Sequence, residues 1–288
     1  MNDRRARYDV LVVDDDDATR AGLTALLANA GFVVDAASDG EAAVEKLDRY
    51  HIGVALVDVR LPGIDGLGIL EHCVARQRPA KVIVMTGIDT TDAALNALRG
   101  QAYDFLPKPI EPMRLVDTVR RALATTPETA PIEVLSAKPE WVELIVPCTR
   151  EAAERIQSFV QQLEADLPED VRESVGLAFR ELLMNGVEWG GRLDPRQRVR
   201  VSYVRTRRML LYRIADPGPG FAFDGLSHAA VANPENAMVH ALVREEKGIR
   251  PGGFGLVLIR AIADELVYNE RQNEVLFVKY LDEPSTTS

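Results

Sequence analysis

The stretch Val10-Leu11-Val12-Val13-Asp14-Asp15-Asp16-Asp17 runs an apolar segment straight into four carboxylates. A second run, Val54-Ala55-Leu56-Val57, closes on Asp58, and a third, Val82-Ile83-Val84-Met85, on Thr86. Lys108 follows Tyr103-Asp104-Phe105-Leu106-Pro107. Short continuous apolar runs alternating with helical patterns read as strands buried on both faces of a parallel sheet. The intervening patterns predict helices near 18–30, 40–47, 67–76, 91–99 and 113–124. The expected fold is α/β, a doubly wound five-stranded parallel sheet whose ligands sit at the carboxyl ends of the strands. An acid pair, a lone acid, a hydroxyl and a lysine all fall at those ends, a set suited to an acyl phosphate beside a hard cation such as Mg²⁺. Asp16 and Asp17 also read simply as caps of the first helix.

The segments Leu11 to Asp15, Asp58-Val59-Arg60-Leu61-Pro62-Gly63-Ile64-Asp65-Gly66, Met85-Thr86-Gly87 and Phe105-Leu106-Pro107-Lys108-Pro109 together resemble a two-component response-regulator receiver domain. The resemblance covers residues 1–124 and implies roles position by position. Asp58 would be the phosphorylated nucleophile, fed by an upstream sensor histidine kinase or a small phosphodonor. Asp14, Asp15, Asp58 and the backbone carbonyl of Arg60 would hold Mg²⁺. Lys108 would help neutralise the phosphoryl group. Thr86 and Phe105 would be the switch pair, with Phe105 turning inward as Thr86 moves onto the phosphate. A Phe at 105 departs from receivers with Tyr there, so a readout through a phenolic hydroxyl is lost.

The chain has 288 residues and a net charge of −10, room for two domains and a poor match to the phosphate contacts of a DNA-binding output. Two cysteines (Cys73, Cys148) and four scattered histidines form no disulfide framework or metal-ligand spacing. No apolar stretch reaches the ~18 residues of a membrane span, and no leader is evident, so a cytoplasmic protein is expected. Residues 125–139, rich in Pro and Thr, read as a linker, 140–283 as a second domain and 284–288 as a tail.

In the second half, alternation predicts a strand at 141–146, and helices are expected at 149–165 and from Pro168 to about Trp189. A hairpin at 199–204 and 209–215, a helix at 254–263 and a last hairpin across 269–273 complete an α+β layer. Three places break the pattern. Glu181 and Asn185 lie four apart on one helix face. Asp216-Pro217-Gly218-Pro219-Gly220 ends a strand with an acid and two glycines. Gly252-Gly253-Phe254-Gly255 leads into a helix, whose free N–H groups favour phosphate.

In this order, with Arg180 to Glu188 similar to an N box, the segments resemble the GHKL (Bergerat-type) ATP-binding domain, with a mixed, largely antiparallel sheet. The anti-sigma-factor serine kinases are the nearest likeness. The resemblance implies that Asn185 completes a Mg²⁺ site through ATP and that Asp216 accepts from the adenine amino group. Gly218 and Gly220 would make room for the base, Gly253 and Gly255 would cradle phosphate, and residues 222–251 would form a lid. Glu181 becomes the candidate general base of a serine/threonine kinase. Trp189 stands where that family often has His. With no His in 125–168, a conventional histidine kinase lacks its phosphoacceptor. The expected partners are a STAS-type anti-sigma antagonist, a sigma factor, or both, and a homodimer is implied. The alternatives are an ATP-binding module that sequesters a partner without phosphorylating it, and an ATPase fold kept only for dimerisation.

Overall fold

The computed structural model describes residues 6–87, 91–124, 131–220 and 255–281. It divides into two compact units, Met1–Glu128 and Thr129–Ser288.

In the first unit, β1 (Arg7–Val13), β2 (Val34–Ala37), β3 (His51–Asp58), β4 (Lys81–Thr86) and β5 (Asp104–Pro107) alternate with five helices. These are α1 (Asp17–Asn29), α2 (Gly40–Arg49), α3 (Gly66–Ala75), α4 (Thr91–Arg99) and α5 (Pro112–Ala124). The strands pair in parallel in the order β2-β1-β3-β4-β5. Because helices cover both faces, nearly every residue of Val10–Val13 and Val54–Val57 is fully buried, which is why the sequence shows runs rather than alternation. On one face Val10, Val12, Val54, Leu56, Ile83 and Met85 pack with Leu27, Leu115 and Val119. Asp16, Asp39 and Asp65 cap α1, α2 and α3 by accepting from the backbone N–H groups of Thr19, Ala42 and Gly68. Asp16 therefore has the capping role open to it from sequence.

The second unit opens with β6 (Glu133–Lys138) and β7 (Trp141–Pro147), followed by α6 (Arg150–Leu163) and α7 (Glu169–Asn185). The chain then passes through a π-helical turn, Gly186–Gly190, into β8 (Arg198–Arg205) and β9 (Met209–Ala215). It resumes with α8 (Gly255–Ile262), β10 (Glu265–Tyr268) and β11 (Glu274–Tyr280). The sheet order is β10-β11-β9-β8-β7-β6. One face carries Val142, Leu144, Val146, Val201, Tyr203, Leu210, Tyr212, Ile214 and Phe277, all essentially buried. The Phe179 ring of α7 lies 4.8 Å from that of Tyr212, and the Phe277 ring, on the neighbouring strand, lies 5.5 Å from it, so a cluster of tilted rings joins helix to sheet.

One expectation changes. Residues 125–139 are not all linker, since Glu133–Lys138 is an edge strand paired with β7. Its alternation is short and its composition polar, so the flanking prolines and threonines outweighed it in the sequence. The second sheet is antiparallel at every pairing among the described strands, in keeping with the largely antiparallel α+β layer expected from the sequence. No helix among the described residues is long and apolar enough to cross a membrane.

Glu164, at the carboxyl end of α6, is wholly buried. The Tyr212 hydroxyl donates to its Oε1, whereas Oε2 has no partner among the described residues. Burial pushes this carboxyl up to about 8, against the pull of Arg205 and Arg172. A folded-state pKa above the unfolded one stabilises the fold at low pH, and that contribution is lost as pH rises from the ordinary carboxylate range through about 8. Stability to urea is therefore expected to fall by up to ~1 kcal/mol per pH unit between pH 6 and 8. Glu164→Gln should flatten that slope, and equal slopes in both proteins would contradict the assignment.

Candidate functional site

At the carboxyl edge of the parallel sheet, Val13 of β1 is paired with Val57 of β3, Asp58 with Met85 of β4, and Thr86 with Pro107 of β5. This register brings residues 94 positions apart into contact. Lys108 Nζ donates to Asp14 Oδ2 at 2.7 Å and also to Asp58 Oδ2. Asp14, Asp15 and Asp58 each offer a carboxylate oxygen, and these atoms all lie within 4.8 Å of one another. Asp14 and Asp58 are buried and Asp15 is exposed, so the cluster is walled on the protein side and open on the other. Backbone N–H groups fix the two buried acids: Asp16 donates to Asp14 Oδ1 and Arg60 to Asp58 Oδ1, both at 3.0 Å. The Arg20 guanidinium reaches the carbonyl oxygen of Asp14 at 2.8 Å, pinning the turn that presents the acid pair.

Burial alone would lower Lys108, but its bonds to Asp14 and Asp58 outweigh that and hold the ammonium above its ordinary value. Three convergent hard oxygen ligands with one ammonium fit a small divalent cation and a phosphoryl group. Thr86 ends β4 and is 6% exposed, and the Phe105 ring is already fully buried in β5.

In the second unit, three separate backbone segments meet at Asp216. Gly218 donates its N–H to Asp216 Oδ1 at 2.8 Å. Gly190, closing the π-turn, lies so close to Asp216 Oδ1 that any side chain there would collide with it. A Cβ on Gly186, the residue after Asn185, would stand 3.5 Å from the Asp216 Cβ. Burial raises the Asp216 pKa, and the Gly218 N–H offsets part of this. Oδ2 makes no hydrogen bond among the described residues, so it is the oxygen left for an external N–H donor such as an exocyclic amine. Gly220 (φ +84°) packs on the carbonyl of Arg271, a conformation and a contact that only glycine accommodates.

One turn back along α7, Glu181 faces the start of α8: a Cβ on Gly255 would sit 2.5 Å from Glu181 Oε2. The structure thus joins Glu181 with Gly255, and Asp216 with Gly218 and the turn beyond Asn185. Gly253 and residues 222–251 lie outside the described residues. Trp189, 51% exposed, sits in the π-turn four residues after Asn185.

Sequence reading missed the π-turn itself and the hairpin residues Asn269 and Asn273 that brace the Asp216 loop. The paired Gly190-Gly191 was the available signal for the first. Gly191 has no room for a side chain against the buried Cys148, whose thiol burial pushes up to about 11, which marks it as inert packing.

Residues 10–120 match the family model of the response regulator receiver domain, and residues 146–279 that of the histidine kinase-like ATPase domain. Among curated proteins, the transcriptional regulatory protein FixJ of Bradyrhizobium diazoefficiens is 35% identical over 127 residues, 44% of this chain and 62% of FixJ. The DNA-binding transcriptional regulator NtrC of Escherichia coli is 38% identical over 115 residues, 40% of this chain and 24% of NtrC. The chain thus spans less than two thirds of these relatives, and transcriptional control in their names is said of them. Among solved structures, the receiver domain of NtrX from Brucella abortus is 30% identical, with 41% of this chain and 100% of that chain covered and a TM-score of 0.39. For FixJ-N the identity is 28%, the coverage 41% and 95%, and the TM-score 0.40.

Proposed function

From a chain that joins a response regulator receiver domain to a histidine kinase-like ATPase domain, we propose a phosphorylation-controlled protein serine/threonine kinase of the anti-sigma type. In the receiver, an Asp58 oxygen attacks the phosphorus of a phosphohistidine on an upstream sensor kinase. The P–N bond breaks and the imidazole keeps the electron pair. Asp14, Asp15, Asp58 and the Arg60 carbonyl would hold Mg²⁺, whose charge offsets that of the phosphoryl oxygens. Lys108, already bridging Asp14 and Asp58, moves its ammonium onto the same oxygens. Thr86 and Phe105 then form the switch pair, and because Phe105 starts buried, its part is a repacking rather than an inward swing.

In the ATPase domain, Asp216 accepts from the adenine amino group with Gly218 and Gly220 beside the base. Asn185 would help hold Mg²⁺, whose charge would offset that of the ATP phosphates, and Gly255 would cradle phosphate, a role the family resemblance also gives Gly253. Glu181 takes the proton of a serine or threonine hydroxyl as that oxygen attacks the γ-phosphorus and ADP leaves. The observation that supports this best is Glu181 against Gly255, an acid at the helix start where phosphate would sit. The substrate class is a STAS-type anti-sigma antagonist, a sigma factor being the alternative client. A partner-sequestering module that binds ATP without phosphorylating anything is the second reading. Exposed Trp189, near the nucleotide but outside the proton path, serves both readings as a fluorescence reporter.

Nucleotide recognition is testable alone. Calorimetric titration of the full chain with ATP and Mg²⁺ should show affinity falling as pH drops toward the raised pKa of Asp216, because the protonated acid no longer presents a charged acceptor. Asp216→Asn should cost about tenfold or more at pH 8 and remove the pH dependence. Tight binding by Asp216→Asn would rule out base recognition through this residue.

A further inference from the structure

The structure assigns to Asn273, at the β10–β11 hairpin, the positioning of the Asp216 carboxylate for adenine selection. The inference rests on the reading of Asp216 as the residue that recognises the base. Asn273 Nδ2 donates to the carbonyl oxygens of Asp216, at 3.2 Å, and Gly218, at 3.1 Å. Two carbonyls can only accept, so the amide orientation is dictated by chemistry. The backbone carbonyl of Asn273 accepts from the Asp216 N–H at 2.9 Å. One residue therefore grips the Asp216-Pro217-Gly218 turn at three points from a hairpin turn 57 positions away in sequence.

Asn273 is itself held. Asn269 Nδ2 donates to Asn273 Oδ1 at 2.9 Å, and the Asn273 N–H donates to Asn269 Oδ1 at 3.1 Å. Both hydrogens of Nδ2 and the Oδ1 of Asn273 are thus engaged, so the side chain has one orientation. Further along the loop, Gly220 rests on the Arg271 carbonyl of the same hairpin. With Oδ1 of Asp216 tied to the Gly218 N–H, the clamp decides where Oδ2 points. Discrimination between an amine and a carbonyl on a purine depends on that direction, because a misaimed acceptor loses hydrogen-bond strength steeply. Asn273 touches neither base nor phosphate in this scheme and acts through Asp216 alone.

The test is the ratio of ATP to ITP affinity, measured calorimetrically with Mg²⁺ on the full chain. ITP carries a carbonyl where ATP carries the amine. Asn273→Ala removes the clamp. Asn273→Asp keeps the side-chain volume and the β11 backbone pairing but replaces both donors with an acceptor. Each is expected to lower the ATP:ITP ratio about tenfold. In an Asp216→Asn background, neither should lower it further. A purely structural role would depress the melting temperature and leave the ratio alone. Unchanged ratios in the Asn273 variants of a chain that does prefer ATP would overturn the inference while leaving Asp216 recognition standing. A wild-type chain that binds ATP and ITP equally would remove both.

Discussion

Asp58→Asn is expected to abolish phosphate uptake by the receiver from acetyl phosphate, and at the same time to make that domain more stable. The first effect follows because the amide nitrogen and oxygen are poor nucleophiles while every neighbour stays in place. No other carboxylate compensates: Asp14 is buried and tied to Lys108 and the Asp16 N–H, and Asp15 lies on the solvent side of the cluster. The second effect is electrostatic. Three carboxylates whose oxygens lie within 4.8 Å of one another share one ammonium, so removing a charge relieves repulsion worth ~1 kcal/mol. Intact-mass spectrometry after phosphodonor treatment reads the first effect and urea denaturation the second. A phosphorylated Asp58→Asn protein would place the acceptor elsewhere. A destabilised one would mean that the Lys108 bridge outweighs the repulsion.

Glu181→Gln carries the second large effect. Loss of a positioned general base costs about 10²–10⁴-fold in rate, so label transfer from ATP to a protein hydroxyl should fall by that factor. Glutamine keeps the length and hydrogen-bonding capacity of the side chain beside Gly255, so nucleotide affinity should stay within about twofold. The split between lost transfer and retained binding marks a base. A fall in affinity with unchanged transfer would make Glu181 a wall of the pocket, and the partner-sequestering reading would gain.

The candidate receiver site was legible because Asp14, Asp58 and Thr86 each close an apolar run, and a parallel sheet collects strand ends at one edge. Val13, Asp58, Thr86 and Pro107 align through a register that the runs themselves announce. The candidate nucleotide site was legible only in pieces. Glu181 and Asn185 share a helix face by simple spacing, and Asp216 and its glycines interrupt a strand pattern. Asn273 was invisible because its role arises from the pairing of β9 with β11, where Ala215 faces Glu274, and no local pattern reports a pairing at that range. The π-turn hid for a different reason. One extra residue in a turn shifts periodicity too little to register, although it brings Gly190 flush with Asp216. The edge strand β6 was lost among the prolines and threonines that flank it, since a short, polar, half-exposed strand has little alternation to show.

The state of Asp58 is expected to govern phosphoryl transfer by the second domain. The direct measurement is transfer of label from γ-labelled ATP to proteins of a cell extract, by the full chain with and without acetyl phosphate, beside Glu181→Gln and Asp58→Asn. Expected are a small protein labelled on serine or threonine by the wild type, no label with Glu181→Gln, and a response to acetyl phosphate that Asp58→Asn lacks. Bound ATP with no labelled protein under either condition, or labelling indifferent to acetyl phosphate, would contradict this expectation.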